Sequence, residues 1–197
     1  MAKRPMTLPS DLPASRNGRL FPHELVLVLF PGIGMLALHR NAARCWNMMA
    51  LACWNDLGRG TQITASSAAD VYRTFDIQER VFFIRFWRIM STNIKRIYQG
   101  ITYWKKPIVA QVATPGTSNH GWGLAVDVAL WFANFGGKDR PVGITKDPRV
   151  VSWMLANAAS FGFFNNVDSE IWHWEFCMGD VIPQRVIDME NFLAGAA

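Results

Sequence analysis

The stretch Ser118-Asn119-His120-Gly121-Trp122-Gly123-Leu124-Ala125-Val126-Asp127, taken with Glu170-Ile171-Trp172-His173 further along, decides how this chain is read. Together the two segments supply two imidazoles, a carboxylate able to complete a three-ligand metal site, and a second carboxylate placed where a hydrolytic metal needs a base. Zinc in a hydrolase usually takes three protein ligands and keeps a fourth position for water, whose pKa it lowers to about 7. His120, Asp127 and His173 are the candidate metal ligands, and Glu170 is the candidate base.

Strand periodicity turns this inventory into a geometric expectation. Leu124, Val126, Val128 and Leu130 alternate with Ala125, Asp127 and Ala129, so a strand here has one apolar face and one face of small residues around the carboxylate. Residues seven apart on a straight strand point to opposite sides. His120 therefore shares a metal with Asp127 only if the chain bends between them, and Gly121 and Gly123 permit that bend. The same parity argument predicts a turn or strong twist at Glu170-Ile171. By residue type alone, Asp127 also suits a loop cap or an arginine partner, and Glu170 a solvated turn. His23 and His39 lack such a pattern and read as structural. Trp172, Trp174 and Phe176 alternate along one strand and read as core packing.

Outward from these segments, the 197 residues are half hydrophobic, enough for one sizeable core. Residues 1–22 carry Pro5, Pro9, Pro13 and Pro22 among polar residues and read as an extended N-terminal arm. Residues 23–197 then form the folded domain. Ala42, Cys45, Trp46, Met49, Ala50 and Cys53 mark a helix face that stops at Gly58. Residues 61–66 read as a short strand and 77–98 as an aromatic-rich helix closed by Gly100, with Phe83 and Trp87 in the core. Residues 101–117 read as an irregular approach to the motif, interrupted by Pro107 and Pro115. Asp147-Pro148 has the form of a helix start; a further strand over 171–177 and a terminal helix over 183–193 complete the pattern.

The net charge of +5 favours a location near something anionic, such as nucleic acid, lipid headgroups or wall polymer. Scattered basic residues and the lack of any zinc-finger, basic-heptad or RNA-binding signature argue against nucleic acid. The longest apolar stretch, residues 25–38, is broken by Pro31, Gly32 and Gly34 and is too short for a membrane span. Lys3 and Arg4 are followed by a polar, Pro-rich segment, so no export signal is expected. Cys45, Cys53 and Cys177 form an odd set without a CxxC pair and read as reduced, buried thiols.

These residues resemble a known family, the zinc D-alanyl-D-alanine carboxypeptidases and related peptidoglycan peptidases, which include the vancomycin-resistance dipeptidases and phage L-alanyl-D-glutamate endolysins. Ser118, His120, Gly123, Ala125 and Asp127 match the fixed positions of its SxHxxGxAxD motif, and Glu170, Trp172 and His173 those of ExWH. Tyr72-Arg73-Thr74 with Gln78 is similar to the family's YRS segment and its trailing glutamine. Thr74 in place of Ser, and Asn119 where carboxypeptidase members often carry Glu, are departures.

The resemblance implies an α+β fold of the hedgehog and D-alanyl-D-alanine peptidase kind, a small antiparallel sheet with flanking helices. It implies Zn2+ held by His120, Asp127 and His173, with Glu170 and Arg73 catalytic: Glu170 as base and later proton donor, Arg73 as oxyanion stabiliser. Ser118 would bind substrate or orient a ligand, and Gln78 would be structural. The expected activity is hydrolysis of a peptide bond in the peptidoglycan stem or cross-bridge, with that peptide as the binding partner. The setting expected is a phage endolysin reaching the wall through a holin lesion, or a virion-associated hydrolase with virion or tail partners on the N-terminal arm. The rivals are a cellular D-alanyl-D-alanine dipeptidase and, as in hedgehog domains, a zinc-containing module without turnover.

Overall fold

The computed structural model describes residues 3–58, 61–132 and 140–196. In chain order the elements are β1 (Leu25–Phe30), β2 (Gly34–His39), α1 (Arg40–Leu57), β3 (Gln62–Ala65), α2 (Phe75–Arg85), β4 (Phe86–Trp87), β5 (Lys95–Tyr98), β6 (Ile101–Lys105), β7 (Ala125–Phe132), β8 (Arg140–Gly143), α3 (Pro148–Asn157), β9 (Phe163–Phe164), β10 (His173–Phe176) and α4 (Gln184–Gly195). All strand pairs among the described residues are antiparallel. The main sheet runs β3-β7-β10-β9, with β8 also on β7; β1-β2 and β4-β6-β5 form two smaller sheets. This is the expected α+β arrangement.

The main sheet is organised by β7. Leu124, Val126, Val128 and Leu130 are fully buried and enter the large apolar core as the alternation predicts. Against them packs α1, whose Ala42, Cys45, Trp46, Met49 and Cys53 are buried while Arg40, Arg44, Asn47 and Asn55 face solvent. The helix begins where His39 Nδ1 accepts a hydrogen bond from the Asn41 amide at 3.3 Å and ends at Gly58, whose φ of 91° suits only glycine well. Trp46 stacks on Phe30 and meets Phe163 edge-on, so the β1-β2 hairpin, α1 and β9 share one core. Asp147 caps α3 as expected, its carboxylate accepting from the Arg149 amide at 3.0 Å, and Pro148 fills the first turn. The three cysteines are free and buried.

The structure corrects several local expectations. Residues 77–98 are not one helix: α2 ends at Arg85, and β5 and β6 form a hairpin around Gln99 and Gly100, both at positive φ (51° and 76°). Gly100 is thus a turn residue rather than a helix stop, and Ile101–Lys105 is a regular strand. The buried aromatics of this second core are Phe82, Phe86, Tyr98 and Tyr103, whereas Phe83 and Trp87 are 42% and 37% exposed. Residues 3–22 carry tight turns and a short 3-10 helix, Ala14–Arg16, and are bound into the body: Leu12 lies in the main core, and Gly18 N–H donates to Gly121 O at 2.7 Å. No helix among the described residues is long and apolar enough to cross a membrane.

Candidate active site

The β7-β10 register supplies the first two site residues. His173 stands directly opposite Asp127, so the two side chains project from one face of the sheet, and His173 Nδ1 lies 2.7 Å from Asp127 Oδ1. His120 arrives from a single 3-10 turn, Asn119–Trp122, which ends at Gly123 with φ 63° before β7 starts. That is the bend the parity argument requires. It brings His120 Nε2 to 3.4 Å from Asp127 Oδ1, and one donor atom from each of His120, Asp127 and His173 lies within 4.8 Å of the others.

Each imidazole has its remaining nitrogen engaged by the protein. His120 Nδ1 is 3.0 Å from the carbonyl of Val71, and the Arg73 amide donates to His120 O at 3.0 Å, so the Val71–Arg73 segment is strapped to the ligand turn. His173 Nε2 is 3.0 Å from Glu175 Oε1. Glu175 is buried and accepts in addition from Asn119 Nδ2 and Asn166 Nδ2, each at 2.6 Å. Its burial and three hydrogen bonds make Glu175 a partner of His173 rather than a surface charge. Asn119, noted as a departure from the family motif, holds that partner in place. These contacts leave His120 Nε2, His173 Nδ1 and the Asp127 carboxylate converging on one point, a donor set that fits zinc with a coordination position to spare.

The electrostatics follow from this packing. Burial works to raise the Asp127 carboxyl, but the hydrogen bonds to His120 and His173 outweigh it and hold it well below the ordinary carboxylate value. For His173, burial acts to lower the pKa and the two flanking carboxylates raise it to about 9. Glu175 is likewise lowered, burial being overcome by His173 and the two amides.

The His120, Asp127 and His173 cluster lies in a cleft of about 560 Å³ that is also lined by Ser118, Arg73, Glu170 and Trp172. Glu170 is placed by the turn anticipated at Glu170-Ile171, where the His173 amide donates to Glu170 O at 2.9 Å. Asn165 fixes that turn, its buried amide donating to Glu170 O at 2.7 Å and His173 O at 2.8 Å. No motif position pointed to Asn165. Arg73 is buried, with Nε on Ala69 O at 2.8 Å and Nη2 on Asp70 Oδ1 at 3.3 Å. Gln78 bridges the site's supports, bonding Asn17 Oδ1, Arg73 O and the Gly116 amide, a structural role as expected. Ser118 is buried, and its carbonyl accepts from Asn17 Nδ2 at 2.8 Å. Trp172 departs from expectation: Trp174 and Phe176 are core residues, but Trp172 precedes β10 and is 38% exposed on the cleft.

Comparison with curated proteins gives no match. Among solved structures, a mutant of the vancomycin-resistance D,D-pentapeptidase VanY from a VanB-type cassette, in complex with Zn(II), is similar at 16% identity and TM-score 0.47, over 86% of each chain. VanYB in complex with D-alanine-D-alanine is similar at 17% identity and TM-score 0.48, covering 89% of this chain and 91% of that one. The LD-carboxypeptidase LdcB is similar at 17% identity and TM-score 0.47, covering 89% and 76% respectively. The profile of the VanY D-alanyl-D-alanine carboxypeptidases matches residues 36–180, which contain Arg73, the three candidate ligands and Glu170. The chain belongs to the VanY D-alanyl-D-alanine carboxypeptidase family.

Proposed function

We propose that this protein is a zinc-dependent peptidase that hydrolyses a peptide bond of bacterial peptidoglycan, in the stem peptide or the cross-bridge. The observation that carries this reading is the convergence of His120, Asp127 and His173 in a cleft that Glu170 and Arg73 also line. Those three residues would hold the metal. Zinc bound there would supply Lewis acidity toward the scissile carbonyl and acidify water. Glu170 takes the proton of the attacking water and returns it to the leaving amine. Arg73, held by Ala69 and Asp70, is the guanidinium that would stabilise the charge developing on the carbonyl oxygen, a role supported by its place on the cleft wall. Ser118 contacts the bound peptide from the cleft wall. The finer setting we propose is wall lysis by a phage-encoded or virion-associated enzyme, supported by the net charge of +5, which favours an anionic wall polymer.

The test is incubation of the zinc-loaded protein with purified sacculi and, separately, with free D-alanyl-D-alanine, followed by mass spectrometry of the products. New peptide termini from sacculi name the bond cut. Release from the dipeptide alone would move the assignment to a dipeptidase, and zinc content without any hydrolysis would leave a binding module. Glu170→Ala should keep zinc and lose hydrolysis, whereas His120→Ala should lose both; an active Glu170→Ala enzyme removes the proposed base.

A further inference from the structure

The cleft has a second wall that the proposed chemistry does not use. It is built by the end of α2 and by the three-stranded β4-β6-β5 sheet, and it presents Arg85 and Arg96, both half-buried. The two guanidiniums converge on one residue: Arg85 Nη1 donates to Gln111 O and Arg96 Nη2 to Gln111 Oε1, each at 3.2 Å. The other hydrogen bond of Arg96 goes to Lys95 O. Every acceptor they have is neutral, and among the described residues neither arginine has a carboxylate partner.

The rest of the cleft is arranged differently. Arg73 is paired with Asp70, while Asp127 and Glu175 are engaged by the histidines. Arg85 and Arg96 therefore form a positive wall gathered around one glutamine, with most of their N–H donors unspent. A guanidinium offers five donors in a fork that matches a carboxylate, and a bound anion would relieve the repulsion between the two cations. The cleft is also larger than two small residues at the scissile bond would fill.

We propose that Arg85 and Arg96 form a second anionic subsite, which holds a carboxylate of the substrate peptide remote from the bond being cut and so selects acidic peptides. The inference rests on the peptidase reading above. The experiment uses zinc-loaded full-length protein and synthetic peptides ending in D-alanyl-D-alanine, with Glu exchanged for Gln at each position on the amino side of the scissile bond in turn. At one position the Glu peptide should be cut with about tenfold or greater advantage in kcat/KM, the size expected of a charge-assisted hydrogen bond. That advantage should shrink with added salt. The double variant Arg85→Gln/Arg96→Gln should bring the Glu/Gln ratio to about one, and Arg96→Glu should turn the preference toward a peptide carrying Lys at that position, an outcome a misfolded protein cannot give. Equal cleavage of Glu and Gln peptides at every position, or a preference that survives in the double variant, overturns the subsite alone. Absence of cleavage of every peptide while sacculi are cut overturns the subsite as placed here, whereas absence of cleavage of peptides and sacculi alike overturns the peptidase reading and the subsite with it.

Discussion

His173 Nε2 lies 3.0 Å from Glu175 Oε1, two residues along the same strand, while His173 Nδ1 faces Asp127. The carboxylate thereby fixes both the ring orientation and the nitrogen left for a metal, and makes that nitrogen more basic. Glu175→Ala would strand the His173 ring and the amides of Asn119 and Asn166. Zinc affinity, measured by competition with a chelating dye, should fall by about 10- to 100-fold. Glu175→Gln, which keeps an acceptor without the charge, should fall between. Wild-type affinity in Glu175→Ala would mean that the ring is held by its packing alone.

Gly123 carries the bend that brings His120 to Asp127. Its φ is 63°, and a Cβ there would sit 2.7 Å from the backbone nitrogen of His39, which itself donates to Gly123 O at 2.9 Å. Gly123→Ala meets both a left-handed backbone and a backbone neighbour that cannot rotate away. The loss of stability should exceed about 1 kcal/mol, and zinc binding should weaken with it because His120 is displaced. A melting temperature and zinc affinity equal to wild type would show that the turn accommodates the methyl group.

These two positions also show what sequence could and could not reveal. The bends at Gly123 and at Glu170-Ile171 were legible, because strand parity leaves no other way for His120, Asp127, Glu170 and His173 to share a site. The role of Glu175 was not, since alternation places it on the His173 side without saying that Asn119 and Asn166 close over it. Asn165 reaches Glu170 and His173 across a local turn, and the Val71 carbonyl reaches His120 from a distant segment; neither carries a motif. The β5-β6 hairpin escapes sequence reading, β5 passing for the end of a helix and β6 for irregular chain, because Gly after an apolar run serves equally as a helix stop and Gln99 at φ 51° replaces the Asn or Asp that usually marks such a turn.

Trp172 was expected in the core and lies on the cleft instead. Its backbone carbonyl still accepts from the Val128 amide at 2.7 Å, so truncating the side chain leaves the sheet contact intact. Trp172→Ala should raise KM for peptide substrates by about 2- to 10-fold, the range of one aromatic contact, with a change in stability under about 0.5 kcal/mol. A large drop in melting temperature with KM unchanged would return Trp172 to a packing role.

His39 gives the fold a dependence on pH that is separate from the metal site. Its ring is fully buried at the start of α1, with Nε2 3.4 Å from Asp11 Oδ1 and Arg40 alongside. Burial is the largest influence and lowers its pKa below the ordinary 6.5; Asp11 and Glu24 oppose this and Arg40 adds to it. The folded protein then binds this proton less readily than the unfolded chain does, so stability rises with pH across the window between the lowered value and 6.5. The contribution is complete above 6.5 and is lost as pH falls through that window. His39→Asn retains a side-chain acceptor for the Asn41 amide but cannot titrate. Melting temperatures followed from about pH 8 to about pH 5 at saturating zinc should therefore decline more steeply for wild type than for the variant, the zinc site being common to both. Parallel curves would show that the surrounding charges cancel the effect of burial.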